Sequence, residues 1–525
     1  MYTKLLQAIY RDSDLAEKTA SMIEQKVSDY QEKKGQAGKL HWDEEDIFLI
    51  TYGEQFFEEQ QPTLRTFKKF YQKYLADTFS VVHFLPFFPY TSDDGFSVVN
   101  YQAINDRLGT WEDIEEMRSE TRLMFDFVCN HMSAESTWFQ EYLNLNDTYK
   151  DFFIDLPLDT DTSSVTRPRT SPLLTTFIDK NGKEKHVWTT FSEDQVDLNF
   201  KNPEVLLKMI DILLFYLEKG ASFIRLDAVG FLWKELGTSC IHLPEMHKII
   251  QLFRAIVDEA ALGTVLITET NVPHKDNISY FGDGRNEAQM VYQFSLPPLT
   301  LQAIRSGNTS KLKEWLKTID FASKKTTFFN FLASHDGIGL NPVRGILPET
   351  TILELVEQLK KEGARVNYKK NPDGTTSPYE INATYLDALS SPTDTTEWRS
   401  KRFLAAHSFL VTLPGVPAIY IQSVLGSRND YKGVEKTGEN RKINRQKFLL
   451  ADIEKELQTD SFISFIREAK EEKVLVIHNF SNQSAGYLLP KGDYLDLFSG
   501  QIIHCSQERK LIFQPYEYMW LKIIK

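Results

Sequence analysis

Cysteine is scarce. The 525-residue chain holds three, Cys129, Cys240 and Cys505, far apart in sequence. They form no CxxC pair and no metal-ligand spacing, so neither a disulfide framework nor a cysteine-bound metal centre organises the fold, and reduced thiols are expected. A basic excess is missing too. With 60 Lys and Arg against 73 Asp and Glu, a net charge of -13, the chain lacks the positive face that a general nucleic-acid or anionic-membrane binder needs. A local basic pocket for one phosphate is compatible with that balance. No apolar run approaches the roughly 18 residues that cross a bilayer. The opening MYTKLLQAIYRDSD turns charged too early for a secretory signal. These absences predict a soluble cytoplasmic protein with neither nucleic-acid nor membrane partners. Internal repeats and low-complexity segments are also absent.

Apolar runs punctuated by helical patterns make up the bulk of the chain. Eight runs read as strands: DIFLITYG, SVVHFLPF, RLMFDFV, SFIRLD, TVLITE, QMVYQF, TTFFNFL and VPAIYI. They are continuously apolar, as expected for parallel strands covered on both faces. Amphipathic segments such as PEVLLKMIDILLFYLEKG and EMHKIIQLFRAIVDEAA separate many of them. Eight strands alternating with helices predict a (β/α)8 TIM barrel. The expected organisation is a helical N-terminal extension over 1–45 ending in a polar linker, QEKKGQAGK, and a barrel over 46–130, 196–337 and 396–452. Long insertions occupy 131–195 (domain B) and 338–395, and a small antiparallel β domain occupies 453–525. Loops that long tend to be functional.

Three of the apolar runs end on acids. FIRLDAVGF delivers Asp227, VLITET delivers Glu269, and FFNFLASHD closes on His335 and Asp336. A carboxylate at the end of a buried strand is costly unless paired or used, and catalytic groups of a barrel sit at its strand ends. Three of them form an inventory for glycosidic-bond chemistry: nucleophile, proton donor and a further anion. Arg225 lies two positions before Asp227, on the same side of the strand, and keeps that carboxylate ionised. A structural Arg–Asp pair explains that fragment equally well. Glu269, poorly solvated, suits a general acid, although lone strand-end glutamates more often cap helices or pair with cations. The glycines of SHDGIG let the backbone turn sharply beneath a ligand, or form a plain turn. SDDGF and DFVCNH add Asp93, Asp94, Asp126, Asn130 and His131 after further strands.

DFVCNH, IRLDAV, ITET and SHD, in that order, resemble the four sequence regions of the α-amylase superfamily. LPFFPYTSDDGF, NHMSAESTWF, RLDAVGF, FSLPPL, HDGIGL and NRKINR resemble its sucrose phosphorylase branch. The resemblance covers nearly the whole chain. It implies that Asp227 is the nucleophile, Glu269 the acid/base and Asp336 the transition-state stabiliser. It also implies that Asp93, His131, Arg225, His335 and Arg441 hold the glucosyl ring, with inorganic phosphate as the attacking partner and α-glucose 1-phosphate as product. Arg167 and Arg169 in TRPRTSP are the candidate phosphate contacts; surface arginines in a Pro-rich loop are the bland alternative.

Three departures from sucrose phosphorylases concern the leaving group: Thr270 and Asn271 after the acid/base, Pro378, Tyr379 and Glu380 in the second insertion, and the N-terminal extension. The stretches ITETNVPHKDNISYFGDGRNEAQM, RPRTSPLLTTF and LGSRND are instead similar to the glucosylglycerate phosphorylase group, which implies 2-O-α-glucosylglycerate as the small-molecule substrate. Sucrose, sucrose 6′-phosphate and glucosylglycerol stay open as substrates, as does a hydrolase or transglucosidase with the same triad. A non-catalytic amylase-like protein is disfavoured by the presence of all three acids. No cofactor and no catalytic metal are expected, a structural Ca²⁺ stays open, and a homodimer is suggested only by analogy.

Overall fold

The eight apolar runs close into a parallel barrel in the computed structural model. The strands are β1 (Phe48–Thr51), β2 (Val81–Phe84), β3 (Arg122–Val128), β4 (Phe223–Asp227), β5 (Val265–Thr268), β6 (Met290–Tyr292), β7 (Thr327–Phe331) and β8 (Val416–Tyr420). They are hydrogen-bonded in chain order, and β8 pairs back onto β1 through Phe48↔Ala418 and Leu49↔Ile419. All eight lie where the sequence places them, and the (β/α)8 fold is the expected one. The structure describes residues 1–34, 42–371, 373–457, 462–469 and 472–524.

Side chains, not solvent, fill the barrel. Phe48 of β1 meets Phe223 of β4 edge-on at 4.7 Å and Phe329 of β7 at 5.1 Å. These rings span the lumen as one layer of a packed core. The polar residues therefore gather at the carboxyl ends of the strands, where the core stops.

Two antiparallel helices open the chain, α1 (Tyr2–Tyr10) and α2 (Ser13–Lys34), joined through Arg11 in a left-handed conformation. Leu6, Ile9, Ala16, Ile23 and Val27 are buried, a stripe at helical spacing. They cover two barrel helices, α3 (Pro203–Glu218) and α4 (Pro244–Ala260). Polar ties fix the register: Tyr2 Oη donates to Glu259 at 2.7 Å, Lys26 reaches Asp211 at 2.7 Å and Arg11 reaches Glu245 at 2.7 Å. The expected linker beyond residue 34 lies outside the described residues.

The first long insertion starts and ends on one small sheet, in which His131–Ser133 pairs antiparallel with Gln195–Asp197. Between them lie a helix, Thr137–Leu143, and a hairpin of Leu174–Ile178 with Glu184–Trp188. The second insertion is a three-stranded sheet with Thr376–Asn382 at its centre, flanked by Ile338–Gly339 and Arg365–Lys370, and backed by the helix Glu349–Lys361. Residues 1–55 and 61–447 form one compact unit. Residues 56–60 and 448–525 form the other, so this second unit begins at 448, not 453, and borrows the strand Phe56–Phe57, which pairs with Phe448–Leu449. It is a five-stranded antiparallel sheet with a two-stranded companion, closed over Leu475, Ile477, Leu489, Tyr494, Phe513 and Leu521.

If α1 is part of the folded body, Leu6→Ala will lower the unfolding free energy by about 2–5 kcal/mol. Urea unfolding reads this directly; an unchanged midpoint would show that the helix is a dispensable tail.

Candidate active site

A cavity of about 720 Å³ opens at the carboxyl ends of the barrel strands, with Asp227, Glu269 and Asp336 on its wall. Asp227 is the last residue of β4, Glu269 follows β5 directly, and Asp336 stands five residues past β7. Parallel strands in register bring these sequence-distant acids to one end of the barrel. Beneath them lies Arg225, 1 % exposed. Its Nη1 donates to Asp227 Oδ1 at 2.7 Å and also to Asp126, and its Nη2 stands 3.9 Å from Glu269 Oε2. Asp126 in turn takes His83 Nε2 at 2.7 Å.

The protonation pattern follows from this geometry. Burial pushes both Asp227 and Glu269 upward, Arg225 opposes it at each, and the Asp336 charge adds to the upward push on Asp227 and Glu269 alike. The guanidinium touches Asp227 directly and stands off from Glu269, and two carboxyls this close disfavour ionising together. Asp336 goes the other way. Against its burial, Arg441 Nη1 donates to it at 2.8 Å and, with Arg225, holds its pKa low. His131 is pushed down to about 4 by burial, and His335 falls well below the usual imidazole range for the same reason and through Arg225 and Arg445. Both imidazoles are neutral at physiological pH.

Imidazole and aromatic rings form part of the remaining wall. His335 stacks on Phe96 at 4.6 Å with the planes 4° apart, and His131 Nε2 bonds the Phe96 carbonyl at 3.1 Å. Asp93 stands on the turn after β2, where Asp93 and Asp94 both take φ 49° and Gly95 takes φ 115°. A Cβ on Gly95 would sit 2.5 Å from the Pro86 carbonyl, so glycine is required there. In SHDGIG the glycines serve another purpose than the expected sharp turn. Gly337 and Gly339 lie outside the left-handed region, and a Cβ on Gly339 would strike Asn271 at 2.6 Å. The bare backbone lets that amide approach.

Of the thirteen residues singled out from sequence, Asp93, His131, Arg167, Arg169, Asp227, Glu269, Asn271, His335, Asp336, Tyr379 and Arg441 line the cavity. Arg225 lies under it. Glu380 faces away: it is fully buried, and its two oxygens accept from Arg441 Nε and Nη2 at 2.9 and 3.0 Å while Asn367 adds a bond at 2.7 Å. Its geometry is that of a clamp on Arg441. Arg169 lies over Tyr379 at 5.1 Å and Phe191 at 5.6 Å. Arg167 donates to the Ser171 carbonyl, and its Nε is buried without a partner.

Two groups escaped the sequence reading. Arg445, 2 % exposed, donates to Asp93 at 3.1 Å, Asp94 at 2.9 Å and the His335 carbonyl at 2.9 Å, tying three loops together. Its spacing of four residues from Arg441 in NRKINR was the available signal. Lys234, buried, places its ammonium 2.8 Å from both Asp197 Oδ2 and Asn130 Oδ1. It stitches the first insertion to β3. Among the described residues no group of three His, Cys, Asp or Glu side chains is placed to hold a metal ion, and no helix is long and apolar enough to cross a membrane.

Lys234→Met will strand a buried carboxylate and an amide oxygen, costing about 3–5 kcal/mol of stability. Denaturant unfolding measures it; a loss under 1 kcal/mol would make the ammonium a bystander.

The family model "Alpha amylase, catalytic domain" matches residues 71–340, and "Alpha-amylase SusG C-terminal domain" matches residues 463–517. A glucosylglycerate phosphorylase from Escherichia coli (strain K12) is 58 % identical over 426 residues, covering 81 % of this chain and 76 % of that one. A glucosylglycerate phosphorylase from Allomeiothermus silvanus is 51 % identical, covering 79 % of this chain and 75 % of that one. The crystal structure of sucrose 6F-phosphate phosphorylase from Thermoanaerobacter thermosaccharolyticum superposes with a TM-score of 0.70 at 26 % identity, over 90 % of this chain and 99 % of that one. The strand-end acids, the barrel that carries them and these relatives converge: the chain belongs to the α-amylase family, in its glycoside phosphorylase branch.

Proposed function

We propose that this enzyme cleaves 2-O-α-glucosylglycerate with inorganic phosphate, giving α-glucose 1-phosphate and glycerate with retention at the anomeric carbon. Asp227 attacks that carbon as a carboxylate while Glu269 passes its proton to the departing glycerate oxygen. A β-glucosyl ester of Asp227 results. Phosphate, losing a proton to the Glu269 carboxylate, then attacks the same carbon from the opposite face, and the ester bond breaks to free Asp227. A retaining enzyme places the two carboxyls roughly 5–5.5 Å apart, and Arg225, bonded to Asp227 and 3.9 Å from Glu269, is compatible with that spacing. Asp336, held anionic by Arg441, stabilises the positive charge that develops on the sugar.

One observation carries the acceptor half of the proposal. Arg167 and Arg169 line the same cavity as the acids, and among the described residues neither has a carboxylate at ion-pair distance. Phosphate and glycerate are both anions, and each could bond these guanidiniums directly. Neutral fructose or glycerol would offer them no charge-assisted bond. The 58 % and 51 % identical relatives named as glucosylglycerate phosphorylases support the same choice.

The test is a panel of α-glucosides supplied with phosphate and scored for glucose 1-phosphate, in which glucosylglycerate is expected to give the highest kcat/KM. Release of free glucose independent of phosphate would point to a hydrolase. Asp227→Asn is expected to lower kcat on the order of 10⁴-fold or more. The pH profile carries a sign. Glu269 must be protonated for the first step and burial raises its pKa, so activity holds below that raised value and falls as pH climbs through it. Glu269→Gln should abolish this alkaline limb with a donor such as α-glucosyl fluoride, whose leaving group needs no proton. A limb that survives the substitution belongs to another group.

A further inference from the structure

The cavity lined by the arginines of the first insertion also receives a cation from the second. Lys369 lies on the strand Arg365–Lys370, and its half-buried side chain lines the cavity together with Arg167, Arg169 and Asn271. Among the described residues no carboxylate stands at ion-pair distance from it and no hydrogen-bond acceptor is paired with it. Its cationic neighbour Arg344 is already neutralised, by Glu349 at 2.5 Å, and donates to the Pro378 carbonyl at 3.1 Å. Burial, then the field of Arg344, disfavours the charged ammonium, and Glu349 offsets this in part. A partly desolvated cation with no carboxylate in direct contact gains from an anion in the cavity.

We infer that Lys369 is a specificity residue for the anion of the leaving-group site, binding the phosphate and the glycerate carboxylate together with Arg167 and Arg169. This rests on the phosphorylase reading and deepens it. A guanidinium pair offers flat, forked donors, whereas an ammonium acts as a point charge that accepts many approach angles. That combination suits a site that must hold a planar carboxylate in one half-reaction and a tetrahedral phosphate in the other. Tyr379, on the strand paired with that of Lys369, carries Arg169 over its ring at 5.1 Å. An anion held there would be clasped by both insertions, so its binding would tie together two segments that are separate excursions from the barrel.

The experiment compares anionic with neutral ligands in Lys369→Met and Lys369→Arg. With Lys369→Met, KM for phosphate and the inhibition constant of glycerate should each rise about tenfold or more, the loss of one charge-assisted hydrogen bond. Turnover of α-glucosyl fluoride, a neutral donor using the same sugar site, should change less than threefold and doubles as the control for folding. Lys369→Arg should recover part of the anion affinity. Unchanged constants for both anions, or an equal loss with the neutral donor, would overturn the assignment. Phosphate and glycerate as competitors of α-glucosyl fluoride hydrolysis read the lysine even if no phosphorolysis is found. A failure of the phosphorylase reading is thus distinguishable from a failure of this one.

Discussion

Arg225 is the ion on which the rest of the site depends. A guanidinium with 1 % exposure has lost its hydration, and such a charge persists only if carboxylates surround it in good geometry. Asp126 and Asp227 bond it directly, with Glu269 at 3.9 Å. Each bond fixes something else. Asp126 also grips His83, anchoring β3 to β2 at the level of the site. Asp227 has its orientation set by a direct bond, whereas Glu269 stands off from the guanidinium. One buried cation thereby gives two carboxylic acids different surroundings.

A second layer of charge repeats this logic at the mouth. Arg441 lies between Asp336, at 2.8 Å, and the buried Glu380, at 2.9 Å. Arg445 joins the Asp93–Asp94 turn to the loop of His335. Burial makes each negative charge here costly, and the facing cations outweigh it, holding Asp94, Asp336 and Glu380 below the usual carboxyl range. Farther out the balance shifts: among the described residues no carboxylate stands at ion-pair distance from Arg167, Arg169 or Lys369, although Asp373 lines the same cavity. The cavity thus runs from an acid-rich floor to a wall on which cations outnumber acids.

Much of this was readable from the chain. The eight strands were legible because a parallel strand buried on both faces must be continuously apolar, and the acids stood out because they break those runs at one end. Arg225 was placed beside Asp227 because the strand period is two. The glycines of SHDGIG were read less well. One reason is the close approach of Asn271 to Gly339, a contact between distant parts of the chain that local pattern does not encode. Glu380 was taken for a substrate contact on its neighbourhood, yet the strand that carries it turns its carboxylate onto Arg441.

The sequence by itself determined the barrel, the order of the strand-end acids and the family, since these depend on periodicity and on residue types at fixed positions along one segment. Only the tertiary structure decided which acid the buried guanidinium bonds and which it merely approaches. Those properties depend on distances between segments far apart in the chain, which no local pattern encodes, and in a buried site the interaction of charges varies steeply with such distances.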